Sequence, residues 1–293
     1  MAKQQVTALD IGSTKTCALI GQISDSGELT VTGAGLSASP GVKNGVVVDI
    51  RATAQAVDDA VSLAGQQAGC VVDAVTVGIT GQHLASLNST ASIAIARPNR
   101  EITAADVEKA KEAARVIVLP PDRQIIHAIP RTYTLDGQNG VRSPIGMCAT
   151  RLEIECHIVH GATAFLQNVE KSISEAGLDV AEQVLQPIAT AEAVLLPAEK
   201  DLGVCLLDIG GGASDLAVFV NGGIYFFSVI PVGGSHVTND IAYGLSVATD
   251  EAERLKTQNG SSVAELVSED DVISVRQVGR ETPRRLRTRA LVR

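Results

Sequence analysis

Two stretches of this 293-residue chain carry residue types that can hold a metal-bound phosphate, and they share one pattern. In the first, a hydrophobic run reaches Asp10, then Ile11, Gly12, Ser13, Thr14 and Lys15. In the second, 198 residues on, a hydrophobic run reaches Asp208, then Ile209, Gly210, Gly211 and Gly212, with Asp215 just beyond. Backbone N–H groups bind phosphate when they approach it closely from a concave loop, and glycine permits both the approach and a positive φ. A carboxylate at a strand end repels phosphate directly. It can hold Mg²⁺ through water, and Mg²⁺ favours a few carboxylates together with phosphate oxygens.

Asp10 and Asp208 are therefore candidate Mg²⁺ carboxylates. Gly12, Ser13, Thr14, Lys15, Gly210, Gly211 and Gly212 are candidate phosphate contacts. Facing each other, the two turns would clamp a polyphosphate from both sides. Either turn alone also reads as a tight hairpin. The pair is the stronger signal, because both follow buried strands, both precede another strand, and the two halves look like repeats of one unit. Neither turn is a P-loop, since G-x-x-x-x-G-K-[ST] is absent. Neither is a G-x-G-x-x-G fingerprint, since Asp215 stands where the last glycine would be.

Three further features follow in order. In "LQPIATAEAVL" a short helical link carries Gln186 ahead of Pro187. Gln186 could orient an attacking water, or simply be a polar helix start. "IPVGGSHVTNDIA" puts Gly233 and Gly234 at a helix N-terminus, either an anion site or an ordinary turn. "AERLK" places Glu253 and Lys256 on one helix face, which also suits a surface ion pair worth ~0.2–0.5 kcal/mol. Cys148, Cys156, His157 and His160 lie close in sequence, but adjacent strand residues point to opposite faces and zinc spacing is absent.

The elements that must position these residues are short and apolar. Strands are expected over 6–12, 16–23 and 29–39, a helix over 52–68 and a buried strand over 72–80. From 81 to 146 the texture is more polar, with a helix over 104–116 that Thr103 can cap. This reads as a small inserted subdomain closing with a strand over 152–159. Then come a helix over 162–176 ending at Gly177, a strand over 204–208, strands over 214–221 and 224–231 flanking a Gly222–Gly223 turn, and helices over 236–245 and 250–258. The expected organisation is a first large subdomain over 1–83 and 162–190, an inserted small subdomain over 84–161, a second large subdomain over 191–244 and a second small one over 245–293.

Composition fits an α/β chain. It is 45% hydrophobic with 2% aromatics and no Trp, so the core is built from aliphatic residues, as in a Val/Ile-rich sheet covered by helices. The net charge of −9 argues against nucleic acid as a partner. Residues 276–293 run the other way, with seven arginines against Glu281. Such a run is a solvated face or tail, or a phosphate-binding patch. An odd count of five cysteines without paired spacing suits a cytoplasmic protein with reduced thiols. No stretch reaches the ~20 apolar residues of a membrane span.

These residues in this order resemble the actin-like ATPase superfamily, relatives of actin, MreB and the seventy-kilodalton chaperones. "DIGSTKT" and "DIGGGASD" look like its two phosphate loops, "LQPIATAEA" its connecting helix, and "VGGSH" and "AERLK" the nucleoside side of its cleft. Residues 41–49 are too few for the usual first small subdomain, and the insert instead follows the strand at 72–80. That placement is similar to the bacterial cell-division family FtsA. "ITAADVEKAKEAA", "IIHAIPRTYTLDG", "SPIGMCATRLEIECHIV" and "PVGGSHVTNDIAYGL" resemble that family throughout.

The resemblance implies a duplicated, ribonuclease H-like actin fold with a displaced small subdomain, and ATP with Mg²⁺ as cofactors. It implies a nucleotide-binding scaffold that forms actin-like filaments and meets other divisome proteins. It would link the tail of the tubulin-like protein FtsZ, docked from about residue 245 onward, to the cytoplasmic face of the inner membrane at the division site. Asp208 and Gln186 would position water for, at most, slow Mg-dependent ATP hydrolysis. The family's second glycine-rich motif and its C-terminal amphipathic membrane helix have no counterpart in this sequence, which reads as C-terminally truncated. The alternatives are a relative serving pilus assembly, or a turnover enzyme of sugar-kinase or chaperone type. The latter needs a hydroxyl-substrate site with a general base, or a peptide-binding domain, and neither is legible.

Overall fold

The computed structural model describes residues 4–280 and 282–291. It comprises two compact units, Met1–Pro231 and Val232–Arg293. The expected second large subdomain, 191–244, is thus crossed by a division at Pro231.

The first unit opens with a meander, β1 (Gln4–Ile11), β2 (Lys15–Ile23) and β3 (Leu29–Ala38). Alternation drives it: Leu9, Ile11, Ala18 and Ile20 are buried on one face. On β3 the same face carries Gly33 and Gly35. A Cβ there would fall 2.2 Å from the Ala64 carbonyl oxygen and 1.9 Å from that of Ala60, so only glycine lets the next helix lie flat on the sheet. A small hairpin of β4 (Val42–Lys43) and β5 (Val46–Val47) intervenes. The helix is α1 (Ile50–Ala68), capped by Asp49, whose carboxylate accepts from the Ala52 N–H at 3.0 Å, and ended by Gly69 at φ 68°. Strand β6 (Ala74–Ile79) then pairs parallel with β1.

The insert follows: β7 (Leu84–Ala94), α2 (Ala104–Ala114), β8 (Arg123–Leu135), β9 (Gln138–Val141) and β10 (Arg151–Ala162). Its strands form an antiparallel sheet of order β7-β10-β8-β9. Ala110 and Ala114 of α2 share a core with Leu152, Ile154 and Ile158 of β10. Thr103 precedes α2 as expected, and its backbone N–H and hydroxyl both donate to Asp106. With Arg97 added, those bonds hold the Asp106 carboxyl down to about 2.

The chain returns through α3 (Thr163–Glu175) and β11 (Asp179–Leu185), which completes the sheet β11-β6-β1-β2-β3. Next come α4 (Gln186–Val194), α5 (Pro197–Leu202) and a second meander of β12 (Val204–Ile209), β13 (Ser214–Val220) and β14 (Gly223–Ile230). The β13–β14 turn is not Gly222–Gly223 but Asn221–Gly222, at φ 54° and 83°, with Gly223 already in the strand. Asn tolerates the left-handed region, so the turn starts one residue early. The insert holds this meander through Arg131 of β8. Its guanidinium lies 4.5 Å from the Tyr225 ring centroid and also bonds Glu155.

The second unit contains α6 (Gly234–Leu245), α7 (Thr249–Asn259), β15 (Val272–Val275) and β16 (Arg284–Arg287) around Ile241, Ala252, Leu255, Ile273 and Val275. The arginine run lies mostly here. Arg284, Arg285 and Arg287 are exposed on β16, and Arg289 pairs with Glu269 at 2.7 Å. Glu281 and Arg293 lie outside the described residues.

Two buried histidines set an acid limit on the first unit. His83, stacked on Phe165 with ring centroids 5.0 Å apart, has no partner for either ring nitrogen. Burial, with Arg123 second, pushes its pKa down to about 4; His157 is pushed equally low by burial and Arg131. An imidazole that protonates at ~6.5 unfolded but only near 4 folded makes stability fall as pH drops through that window. Each contributes at most about 1.4 kcal/mol per pH unit. His83→Phe keeps the ring stack and removes one proton-binding site. Urea melts at pH 7 and pH 5 are expected to show a smaller acid loss for His83→Phe than for the parent chain.

Candidate functional site

The two Asp-Gly turns are built alike. The Gly12 N–H donates to the Lys15 carbonyl at 3.0 Å, and the Gly210 N–H to the Ala213 carbonyl at 2.9 Å. Across each turn the register is the same: Asp10 faces Cys17, and Asp208 faces Asp215. Each strand pair thus delivers its acid two residues before its first turn glycine.

The turns meet. A Cβ on Gly211 would fall 2.4 Å from Thr14 Cγ2. One on Gly212 would fall 2.6 Å from Ser13 Oγ and 2.9 Å from the Asn44 backbone. The β4–β5 hairpin joins them, its Gly45 N–H donating to Ser13 Oγ at 2.8 Å. Accepting that bond leaves the Ser13 proton free to be donated elsewhere.

Beside the turns lies a cleft of about 510 Å³, lined by Asp10, Gly12, Ser13, Thr14 and Lys15 from one side and Asp208, Gly210, Gly211, Gly212 and Asp215 from the other. Its floor includes Gln186 and Thr190 of α4. These are four apart, so both face the cleft. Gln186 Nε2 donates to Asp10, and Thr190 Oγ1 donates to Asp208 at 3.0 Å. The single Thr80 hydroxyl is shared between both oxygens of Asp215, at 2.6 and 2.7 Å.

The acids repel one another. Burial pushes Asp215 up to about 6; the Thr80 bond opposes this, and Asp208 and Asp10 add to it. Asp10 opens to the cleft yet is walled by protein. Burial first and Asp208 second raise its carboxyl, against Lys15 and Gln186. Burial and Asp10 raise the Cys17 thiol. Neighbouring carboxylates that raise one another's proton affinity are what a divalent ion relieves. No group of three metal-ligating side chains occurs among the described residues. Two carboxylates plus phosphate and water suit Mg²⁺, so this donor set fits that ion.

The remaining sequence candidates lie in the second unit, where the structure brings them together. Gly233 precedes α6 and Gly234 opens it. Lys256 Nζ donates to the Gly234 carbonyl at 3.1 Å and to Thr238 Oγ1 at 2.9 Å, and pairs with Glu253 at 2.7 Å. The Cys and His cluster of the insert is dispersed. Cys156 is in the core, its thiol pushed up to about 11 chiefly by burial. His157 bonds Asn88 at 2.7 Å, and His160 Nδ1 accepts from Arg123 at 2.7 Å.

Sequence reasoning did not single out Asp215, Thr80, Thr190 or Gly45. Asp215 and Thr190 were within reach. Offset by 198, Asp215 falls on Cys17 inside the turn already recognised, and Thr190 is one helical turn past Gln186. Thr80 and Gly45 carry no local signal, since only the tertiary fold delivers them.

Among the described residues, no helix is long and apolar enough to cross a membrane. The fold is that of the actin-like proteins. The PilM–PilN type IV pilus biogenesis complex aligns over 88% of this chain and 70% of its own, at TM-score 0.64 and 16% identity. MreB5 of Spiroplasma citri bound to ADP aligns over 99% and 73%, at TM-score 0.51 and 14% identity. Cell division protein FtsA of Pseudomonas aeruginosa is 42% identical over 288 residues, 98% of this chain and 69% of that protein. Family models match twice: residues 81–160 as the SHS2 domain inserted in FtsA, and residues 205–292 as cell division protein FtsA. The insert after β6, the two facing Asp-Gly turns and identity at this level over nearly the whole sequence have one account: the chain belongs to the FtsA family of cell-division proteins.

Proposed function

We propose that the cleft binds ATP with Mg²⁺. The observation that carries this reading is the pair of like-built turns whose acids, Asp10 and Asp208, line one cleft. Gly12, Ser13, Thr14 and Lys15 would hold phosphate oxygens from one side, and Gly210, Gly211 and Gly212 from the other. Asp10 and Asp208 would hold Mg²⁺ through water, and the metal would supply the charge that joins acids to phosphate. Gly233, Gly234, Glu253 and Lys256 would serve the nucleoside side. MreB5, which shares the fold, was solved with ADP.

Hydrolysis, where it occurs, would be slow. Gln186 holds Asp10 by its amide N–H, leaving its carbonyl to accept from a water. Asp208 would help place that water, and Asp215 would be the group able to take its proton. The chain would act mainly as a nucleotide-gated scaffold. It would assemble into actin-like filaments, bind the FtsZ tail through the second unit, where arginines of β16 suit an acidic segment, and join other divisome proteins. It would work at the cytoplasmic face of the inner membrane at the division site.

Calorimetric titration of MgATP tests the core of this reading. Lys15→Ala is expected to weaken binding tenfold to a hundredfold, since a charge-assisted bond to phosphate is worth ~1.5–3 kcal/mol. Absence of binding to the parent chain, or equal binding by Lys15→Ala, would sink it.

A further inference from the structure

A histidine of the insert bonds the backbone of the residue just before Gln186. His127 stands on β8, the insert strand that packs on the body: its neighbours Ile126 and Ile129 join the core of Leu185, Ile188 and Ala191. Between them, His127 Nε2 accepts the backbone N–H of Leu185 at 3.0 Å. Leu185 is the residue at which β11 ends and α4 begins. Its side chain cannot cap a helix, and Pro187 brings no N–H to the first turn. The imidazole is thus a side-chain anchor at this helix start. The next residue is Gln186, which bonds Asp10 in the cleft.

Resting on the nucleotide reading above, we propose that His127 is a positioning residue of the nucleotide site: by pinning the Leu185 N–H it fixes the start of α4 and so holds Gln186 on Asp10. The acceptor role requires the neutral imidazole with its proton on Nδ1. The groups facing the ring act in both directions. Burial, the largest influence, lowers its proton affinity; Glu182 on β11 opposes this and Arg115 at the end of α2 adds to it. The insert is therefore not only an attachment: one of its strands sets the geometry of a cleft carboxylate.

Two variants separate acceptor from bulk. His127→Phe keeps a planar ring and loses the acceptor; His127→Gln keeps an acceptor oxygen. In His127→Phe, hydrogen exchange of the segment 183–190 is expected to accelerate, and MgATP affinity by calorimetry to fall about tenfold. His127→Gln should restore both to within about threefold of the parent. In a Gln186→Ala background, His127→Phe should cost no further affinity, because the route runs through Gln186. Unchanged exchange in His127→Phe overturns the proposal. So does faster exchange with parental MgATP affinity, or a full additional loss in the Gln186→Ala background, and these leave the nucleotide reading intact. A parent chain that binds no MgATP overturns the nucleotide reading, and this proposal with it.

Discussion

Gly212→Ala is expected to abolish measurable MgATP binding while leaving a folded chain. The added methyl would sit 2.6 Å from Ser13 Oγ and 2.9 Å from the N and Cα of Asn44. The Ser13 hydroxyl could rotate away, but the Asn44 backbone cannot. It is rooted by the β4–β5 pairing and by the Gly41 carbonyl, which accepts from both Val48 and Asp49. The second turn must therefore move off the first. A phosphate clamp loses its aim when one arm shifts by even 1 Å, because each N–H contact depends on close approach. The stability cost should be about 1–3 kcal/mol, the range for overpacking a close contact. Gly137→Ala is the control. It has φ 90° with open space around it, so it bears only backbone strain of about 1–2 kcal/mol and is far from the nucleotide residues in the chain. Calorimetry and thermal melts of the two variants decide the matter. Equal MgATP affinity in Gly212→Ala and Gly137→Ala would mean that contact between the turns is irrelevant to binding.

That clash shows what the sequence could and could not say. The glycines and acids of both turns were legible because they break a hydrophobic strand pattern in the same way twice. Contact between the turns was not, since it depends on a hairpin tip, Asn44–Gly45, that looks like any other turn. The core strands β1, β2, β12 and β13 alternate plainly and were expected close to where they lie. Strand β8 was not read at all. It contains Pro130, placed where the register with β10 shifts between Glu155 and Cys156, and both its faces are half-covered, so no alternation survives. Strand β11, "DVAEQVL", is too polar to read as sheet; it becomes one by parallel pairing with β6. The link from His127 to Gln186 joins just these two strands, which is why no spacing in the sequence announces it.

Within the site, residue types were legible and their partners were not. Gln186 stood out as a polar residue at a helix start, and an interaction with water was the natural reading. Its amide N–H also rests on Asp10, a contact across 176 residues of chain. The same holds for Thr80 and Asp215, 135 residues apart. A carboxylate announces itself by type, whereas the donor that steadies it comes from whichever strand the topology sets alongside.

Asp208→Asn should move stability and function in opposite directions. In the nucleotide-free chain Asp208 raises the proton affinity of both Asp10 and Asp215, which means its charge opposes theirs. Removing that charge while keeping the shape relieves both neighbours. The Asn side-chain oxygen can still accept from Thr190, so no donor is orphaned. The expected result is a nucleotide-free chain more stable by about 1 kcal/mol, the scale of one pKa unit of relieved repulsion. With MgATP the sign reverses. Asn is a poor partner for a hydrated Mg²⁺, and affinity should drop about a hundredfold, in line with loss of a charged contact of ~3 kcal/mol. Without Mg²⁺, ATP should bind Asp208→Asn at least as well as the parent, because one repelling carboxylate is gone. This three-way pattern separates a metal-holding acid from one that merely supports the turn. A supporting acid would lower stability and weaken ATP with or without the metal. Thermal melts with calorimetry in Mg²⁺ and in chelator distinguish the two, and a lower melting temperature for the nucleotide-free variant would show that Asp208 is there to build the strand end rather than to carry charge into the cleft.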